Sequence, residues 1–365
     1  MNLTPAIVRY RASGLERSRD GIGVICKNKV IFKVSRAEVA EMAMRPAPKN
    51  IVESLLASGM ITKEQAELSS RVPMADDITV EGDSGGHTDN RPFSVVFPVI
   101  KSMAARISRD LCYQSPIRVG AGGGIGCPEA ALSAFGMGAA YIVTGTINQL
   151  SRQSGTSDFV RRALSVAGFS DVSMAPAADM FEQGAQVQVL KSKETMFALR
   201  AKKLAKIFAE YNSLEEIPKT ELERLETTIF RKPVSKIWEK TAEFFKESGA
   251  EQKINQAESN PKQKMALVFC YYLGKSSRWA ITGKESREID SQIWCGPSIG
   301  SYNDWVRGSF LDPSISGLFP DVVQQNLHLI RGACFLERIS LLKHDPRLDV
   351  EVLGIQEYYF PKSQV

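Results

Sequence analysis

The chain has 365 residues, 43% of them hydrophobic, with 46 Lys and Arg against 41 Asp and Glu and a net charge of +5. That composition excludes a disordered chain and gives no basic excess of the kind that marks nucleic-acid binding. No stretch nears the roughly 20 apolar residues of a membrane span, and the first twenty residues lack the apolar core of a signal peptide.

Thr4-Pro5 predicts a helix start, an apolar stripe runs through Ala6, Ile7 and Tyr10, and Gly14 is placed to end it. No strand precedes this helix. Strands are then predicted at 29–34, 78–82, 117–121 and 140–144, rich in β-branched residues. Helical segments follow them, among them AEVAEMAM, PVIKSMAARISRDL and PEAALSAFGMG. Strands that alternate with helices imply parallel βα units. Four units suit either an open doubly wound sheet or half of a (β/α)8 barrel, which needs eight strands. From about residue 195 the pattern becomes helical, with a small core expected around Trp238, Trp279, Trp294 and Trp305. The expected division is 1–190 and 191–365.

Six cysteines, at 26, 112, 127, 270, 295 and 334, include no C-x-x-C pair. They suit reduced thiols of a cytoplasmic protein, most of them buried, better than disulfides or zinc. His328 and His344 have no metal-ligand spacing, so no metal is expected.

In G-A-G-G-G-I-G-C-P-E (120–129) a strand runs into glycines and then into a helix opened by Pro128. Gly122, Gly123 and Gly124 there, with Gly145 and Thr146 after the next strand, offer amides to a phosphate; the alternative is a tight turn with close helix packing. Cys127 breaks the dinucleotide fingerprint. His87 follows Gly85 and Gly86 at a strand end, where parallel α/β proteins bind ligands, and Asp89 and Asn90 trail it. Imidazole there suits proton transfer, or is held by its own turn. Lys33 and Glu81 stand near the ends of consecutive strands. They either pair, or leave Lys33 to meet a phosphate or flavin oxygen, or are solvated. The basic run at 200–206, with Lys191 and Lys193, suits an acidic carrier protein but more commonly is a solvated helix face.

The segments "DSGGHTDNRP" and "VGAGGGIGCPEAALSAFGMGAAYIVTGTINQ" resemble the 2-nitropropane dioxygenase and nitronate monooxygenase superfamily of FMN-dependent barrels. Longer segments, including "MNLTPAIVRYRASGL", "RVPMADDITVEGDSGGHTDNRP", "MAPAADMFEQGAQVQVLK" and "QIWCGPSIGSYNDWVRG", resemble its PfaD family more closely. These are trans-acting enoyl reductases of polyunsaturated fatty acid and polyketide synthases. The resemblance covers residues 1 to about 343.

It implies the C-terminal half of a TIM-type (β/α)8 barrel, four parallel βα units, followed by an α-helical region. FMN is the implied cofactor and NADPH the electron donor. The substrate is a 2-enoyl thioester on an acyl carrier protein of a multienzyme synthase. His87 and Lys33 become catalytic, and Gly85, Gly86, Gly122, Gly123, Gly124, Gly145 and Thr146 become flavin contacts. Family members begin with about half a barrel before the segment matching Met1. A missing N-terminal half or a homodimer is therefore expected to complete the barrel. The alternatives are a flavin oxidase acting on nitronates, an inactive fragment that helps assemble a synthase, and, last, a flavin-free phosphate-binding α/β protein.

Overall fold

The computed structural model describes residues 3–344. The chain divides into two compact units: within the described chain, residues 3–84, 88–145 and 329–344 form the first, and 85–87 with 146–328 the second.

In the first unit, the opening helix Pro5–Ser13 forms as expected, with Pro5 in its first turn. Gly14 ends it for a different reason from a left-handed cap. Its φ is −96°, and a Cβ there would lie 2.5 Å from Asn28. Arg11 anchors the helix: it is buried and pairs with Asp76 at 2.7 Å. Burial alone would raise the Asp76 pKa, but the Val30 amide and the Arg11 guanidinium outweigh it and hold the carboxyl below its usual range.

Strands β1 (Leu15–Arg17) and β2 (Val24–Cys26) pair as an antiparallel ribbon that the alternation pattern did not predict. Then β3 (Ile31–Val34), β4 (Asp77–Glu81), β5 (Arg118–Gly122) and β6 (Ile142–Val143) form one parallel sheet in sequence order. All four predicted strands exist, in the arrangement of four consecutive units of a (β/α)8 barrel.

Alternation along each strand separates two faces. On one, Ile78, Val80, Val119 and Ala121 are buried, and the helix Phe93–Asp110 packs on β4 and β5. The other face has a rung of Ile31, Asp77 and Arg118 and a second of Lys33, Thr79 and Gly120; Glu81, Gly122 and Val143 form the third. Gly120 is glycine because the Tyr141 ring covers it: a Cβ would sit 2.2 Å from the ring. The Tyr141 hydroxyl reaches Thr79 Oγ1 at 2.9 Å.

In the second unit, β7 (Val172–Pro176) and β8 (Gln186–Leu190) make an antiparallel hairpin. Ala175, Val187 and Val189 from this hairpin share one core with Phe197, Leu204, Phe230, Phe269 and Tyr272. The compact unit therefore runs across residue 190, where the sequence placed a boundary. The expected tryptophan core is corrected too. Trp279 lies in this core and Trp238 packs against it, while Trp305 is buried against Tyr302 and Trp294 is 44% exposed. Of the cysteines only Cys295 is fully buried; burial pushes its thiol up to about 12.

The basic run is engaged locally. Arg200 pairs with Asp290, Lys203 with Glu221 and Lys206 with Glu210, and Lys202 donates to Ser173. Among the described residues, no helix is long and apolar enough to cross a membrane.

Candidate active site

The predicted residues are distributed between the two units, and each group has its own local geometry. Lys33, Gly122, Gly123, Gly124 and Gly145 belong to the first; Gly85, Gly86, His87 and Thr146 belong to the second.

In the first unit the candidates gather at the C-terminal ends of the parallel strands. Lys33 is paired with Glu81: Nζ lies 2.7 Å from Oε1, and Ser84 Oγ donates to the same carboxylate oxygen at 2.5 Å. The side-chain exposures are 60% for Lys33 and 10% for Glu81, so the lysine serves as the solvent-facing partner of a buried carboxylate.

Beside them, Gly123 and Gly124 have φ of +77° and +72°. Left-handed backbone there favours glycine. A Cβ on Gly123 would lie 2.9 Å from the Gly82 carbonyl oxygen, whereas Gly145 has nothing within 4 Å. Among the described residues the Gly123 and Gly124 amides have no backbone acceptor. Glycine amides in left-handed backbone at a strand end suit a phosphate, and the space at Gly145 leaves room for one, as the flavin reading requires.

Asp89 does not accompany His87, as its place in the sequence suggested. It accepts from Ser35 and from Arg36, with Arg36 Nη2 to Oδ1 at 2.8 Å. These bonds, that to Arg36 foremost, lower its carboxyl to about 2.

In the second unit His87 is held from three sides. Gly86 exchanges backbone hydrogen bonds with Gln188 on β8: its N–H donates at 2.9 Å and its carbonyl accepts at 2.7 Å. Gly85 and Gly86 have a packing reason for being glycine. A Cβ on Gly85 would lie 2.8 Å from the Cys295 backbone, and one on Gly86, whose φ is +78°, 2.9 Å from the Trp294 ring. The His87 ring meets Trp294 edge-on, with centroids 5.8 Å apart.

Nε2 of His87 lies 3.1 Å from Asp179 Oδ1. A carboxylate at that nitrogen favours the Nε2–H tautomer and leaves Nδ1 as the acceptor. Thr146 Oγ1 accepts from the Gly296 amide at 3.2 Å, and Gln149 donates to the Trp294 carbonyl at 2.6 Å, which fixes residues 294–296 around the histidine.

Asp179, Gln149 and Trp294 are residues that sequence reasoning missed as site components. Asp179 lies 92 positions from His87, and no periodicity connects them. The one signal in the sequence was that MAPAADMFEQG and QIWCGPS fall in family-like segments.

A parallel βα sheet with glycine-rich strand ends, and a histidine oriented by a carboxylate, define an α/β enzyme fold of the barrel type. Comparison with known proteins narrows the class. The enoyl reductase domain of MlnA, from the macrolactin cluster of Bacillus amyloliquefaciens, superposes with a TM-score of 0.87 at 38% identity, over 93% of this chain and 74% of that one. A polyunsaturated fatty acid synthase polypeptide of Thraustochytrium sp. is 53% identical over 368 residues, which is all of this chain and 24% of that polypeptide. The polyketide biosynthesis protein PksE of Bacillus subtilis is 45% identical over 86% of this chain and 40% of its own length. Residues 211–291 match a family described as the inserted helical domain of [acyl-carrier-protein] S-malonyltransferase. The chain belongs to the PfaD-type family of enoyl reductase domains from polyunsaturated fatty acid and polyketide synthases. It spans about a quarter of the length of the Thraustochytrium synthase polypeptide that it matches.

Proposed function

We propose that this chain acts in the FMN-dependent reduction of carrier-protein-bound 2-enoyl thioesters during polyunsaturated fatty acid or polyketide synthesis, with NADPH as electron donor. The observation that carries the reading is the 38% identical enoyl reductase domain, which superposes on nearly the whole chain. The match of residues 211–291 to part of a protein that acts on acyl carrier protein supports the carrier-bound substrate.

FMN, when bound, would supply the hydride-transfer chemistry between nicotinamide and enoyl thioester. The amides of Gly123, Gly124 and Gly145 would hold its phosphate, and Gly122 and Thr146 are the further candidates for contacts to it. His87, oriented through Nε2 by Asp179, uses Nδ1 at the thioester: protonated, it donates to the carbonyl or delivers the proton to the α-carbon. Lys33 pairs with Glu81 and adds positive charge at the strand ends. Gly85 and Gly86 bring the backbone close to Trp294 and so set where the imidazole stands.

Gly145→Val provides the test. A Cβ at this position would meet nothing among the described residues within 4 Å, so the substitution is expected to be accommodated while the phosphate space fills. FMN retention, read from visible absorption, is expected to fall at least about tenfold with unchanged far-UV circular dichroism. Undiminished flavin content in this variant would remove these loops from the cofactor site. Turnover of a crotonyl thioester against an alkyl nitronate separates the reductase from the flavin oxidase. A second reading, a non-catalytic assembly role in a synthase, is favoured by Ile31 and Val143, which are 59% and 43% exposed on one sheet face. A flavin-free chain that still binds the synthase would support it.

A further inference from the structure

In the second unit the helices Val234–Glu247 and Pro261–Thr282 enclose a half-open cavity of about 660 Å³. That volume suits a small organic ligand. The 261–282 helix already sends Met265, Phe269, Tyr272 and Leu273 into the aromatic core. A second stripe at helical spacing, Leu267, Tyr271, Gly274 and Arg278, lines the cavity instead. One apolar stripe is what a packed helix needs; Tyr271 still touches the core, while Leu267, Gly274 and Arg278 lie outside it and face the cavity. From the facing helix Phe244 joins the lining with 62% of its surface exposed.

Gly274 stands inside a 22-residue helix, where glycine costs about 1 kcal/mol relative to alanine. A Cβ there would meet nothing within 4 Å, so no contact in the chain demands glycine. What glycine does at this position is leave the cavity wall open.

The polar part of the lining carries three cations, Lys240, Lys275 and Arg278, against two carboxylates. Lys240, Lys275 and Arg278 face the cavity, and among the described residues none has an acidic partner, whereas Lys236 pairs with Glu239 and Lys264 with Glu258. Lys232 lies beside Lys240; desolvation first, then that neighbouring ammonium, lower its pKa, as uncompensated positive charge would. Glu243 and Glu247 line the same cavity about one and two helical turns beyond Lys240, so charge is graded along it.

We infer that this cavity binds an anionic amphiphile, an acyl chain with a carboxylate or phosphate head. The chain lies against Phe244, Phe245, Leu267 and Tyr271, and the head sits on Lys240, Lys275 and Arg278. The inference is independent of whether the chain reduces enoyl thioesters, and its test involves no turnover.

Two sources share this chemistry, a free fatty acid and an acylated phosphopantetheine arm. Titration calorimetry of the full chain with laurate, with S-lauroyl-phosphopantetheine and with unacylated phosphopantetheine separates them. At least one lauroyl ligand is expected to bind, about tenfold or more tighter than the unacylated arm. Binding of laurate assigns the free acid, and binding of the thioester alone assigns the arm.

Gly274→Leu fills the cavity while improving helix propensity, so thermal stability should hold or rise as affinity falls at least about tenfold. The pair Lys275→Glu and Arg278→Glu should weaken binding by a similar factor. The site is overturned if neither lauroyl ligand binds, or if affinity is unchanged in both variants. Binding of an acidic amphipathic peptide helix in place of the amphiphiles would also overturn it and make the groove a protein-docking surface.

Discussion

His87 acquires a direction from Asp179. The carboxylate favours Nε2–H, so under the proposed function the nitrogen left for chemistry is Nδ1. In ¹⁵N spectra of the imidazole at a pH where it is neutral, the wild-type chain should show the Nε2–H tautomer, and Asp179→Asn a mixture. In the intact synthase the same substitution should lower enoyl reduction by roughly tenfold or more, the usual cost of losing a group that orients a functional histidine. An unchanged tautomer would reduce Asp179 to a surface neighbour. Asp89 contributes one part of the acid dependence. Its folded pKa of about 2 lies below the ordinary value of 3.8, so its pairing with Arg36 and Ser35 stabilises the fold fully above about 4 and is lost as pH falls towards 2. Discounted for the exposed Arg36, the contribution is about 1 kcal/mol. Denaturation of wild type and Asp89→Asn between pH 2 and 7 should show that gap at neutral pH and its closure in acid.

Two elements depend on contacts that no local pattern announces. The π-helix Glu226–Phe230 ends on Arg231, whose φ is +53°. Arg287 satisfies its last carbonyls, donating to Ile229 at 2.8 Å and to Phe230. Asp290, fully buried, holds Arg287, Arg200 and Arg231 together and accepts from Tyr272 at 2.9 Å. Asp290→Asn leaves three guanidinium groups short of their counter-charge and should cost about 3 kcal/mol in chemical denaturation. A loss below about 1 kcal/mol would mean that the arginines find other partners. In the parallel sheet, Gly120→Ala drives a methyl into the Tyr141 ring and should cost about 1–3 kcal/mol, partly recovered by adding Tyr141→Ala. Equal losses in the single and double variants would show that the ring is not the obstacle.

Across the whole chain, the parallel sheet was legible because its strands read as short β-branched runs, each followed by a helical segment. The glycines at 122–124 and the histidine at 87 were legible because residue type alone limits what such positions can do. The β7–β8 hairpin was not: Gln186–Leu190 does alternate, but its partner Val172–Pro176 has no such pattern and ends on a proline. The four tryptophans were assigned one core by residue type, yet the core is built mainly from aliphatic residues around Phe181, Phe197, Phe230, Phe269 and Tyr272, with Trp279 its one tryptophan member.

Local chemistry, carried by each residue within a few positions of its neighbours, was enough for the βα order, the strand-end glycines, the candidate imidazole and the family. Tertiary structure decided which carboxylate serves which partner: Glu81 for Lys33, Asp179 for His87, Asp89 for Arg36. It also decided that Gly85, Gly86 and Gly120 are glycine because another residue occupies the space of their side chains. Such pairings join positions tens of residues apart, and only the folded backbone brings them within the few ångströms over which hydrogen bonds and steric contact act.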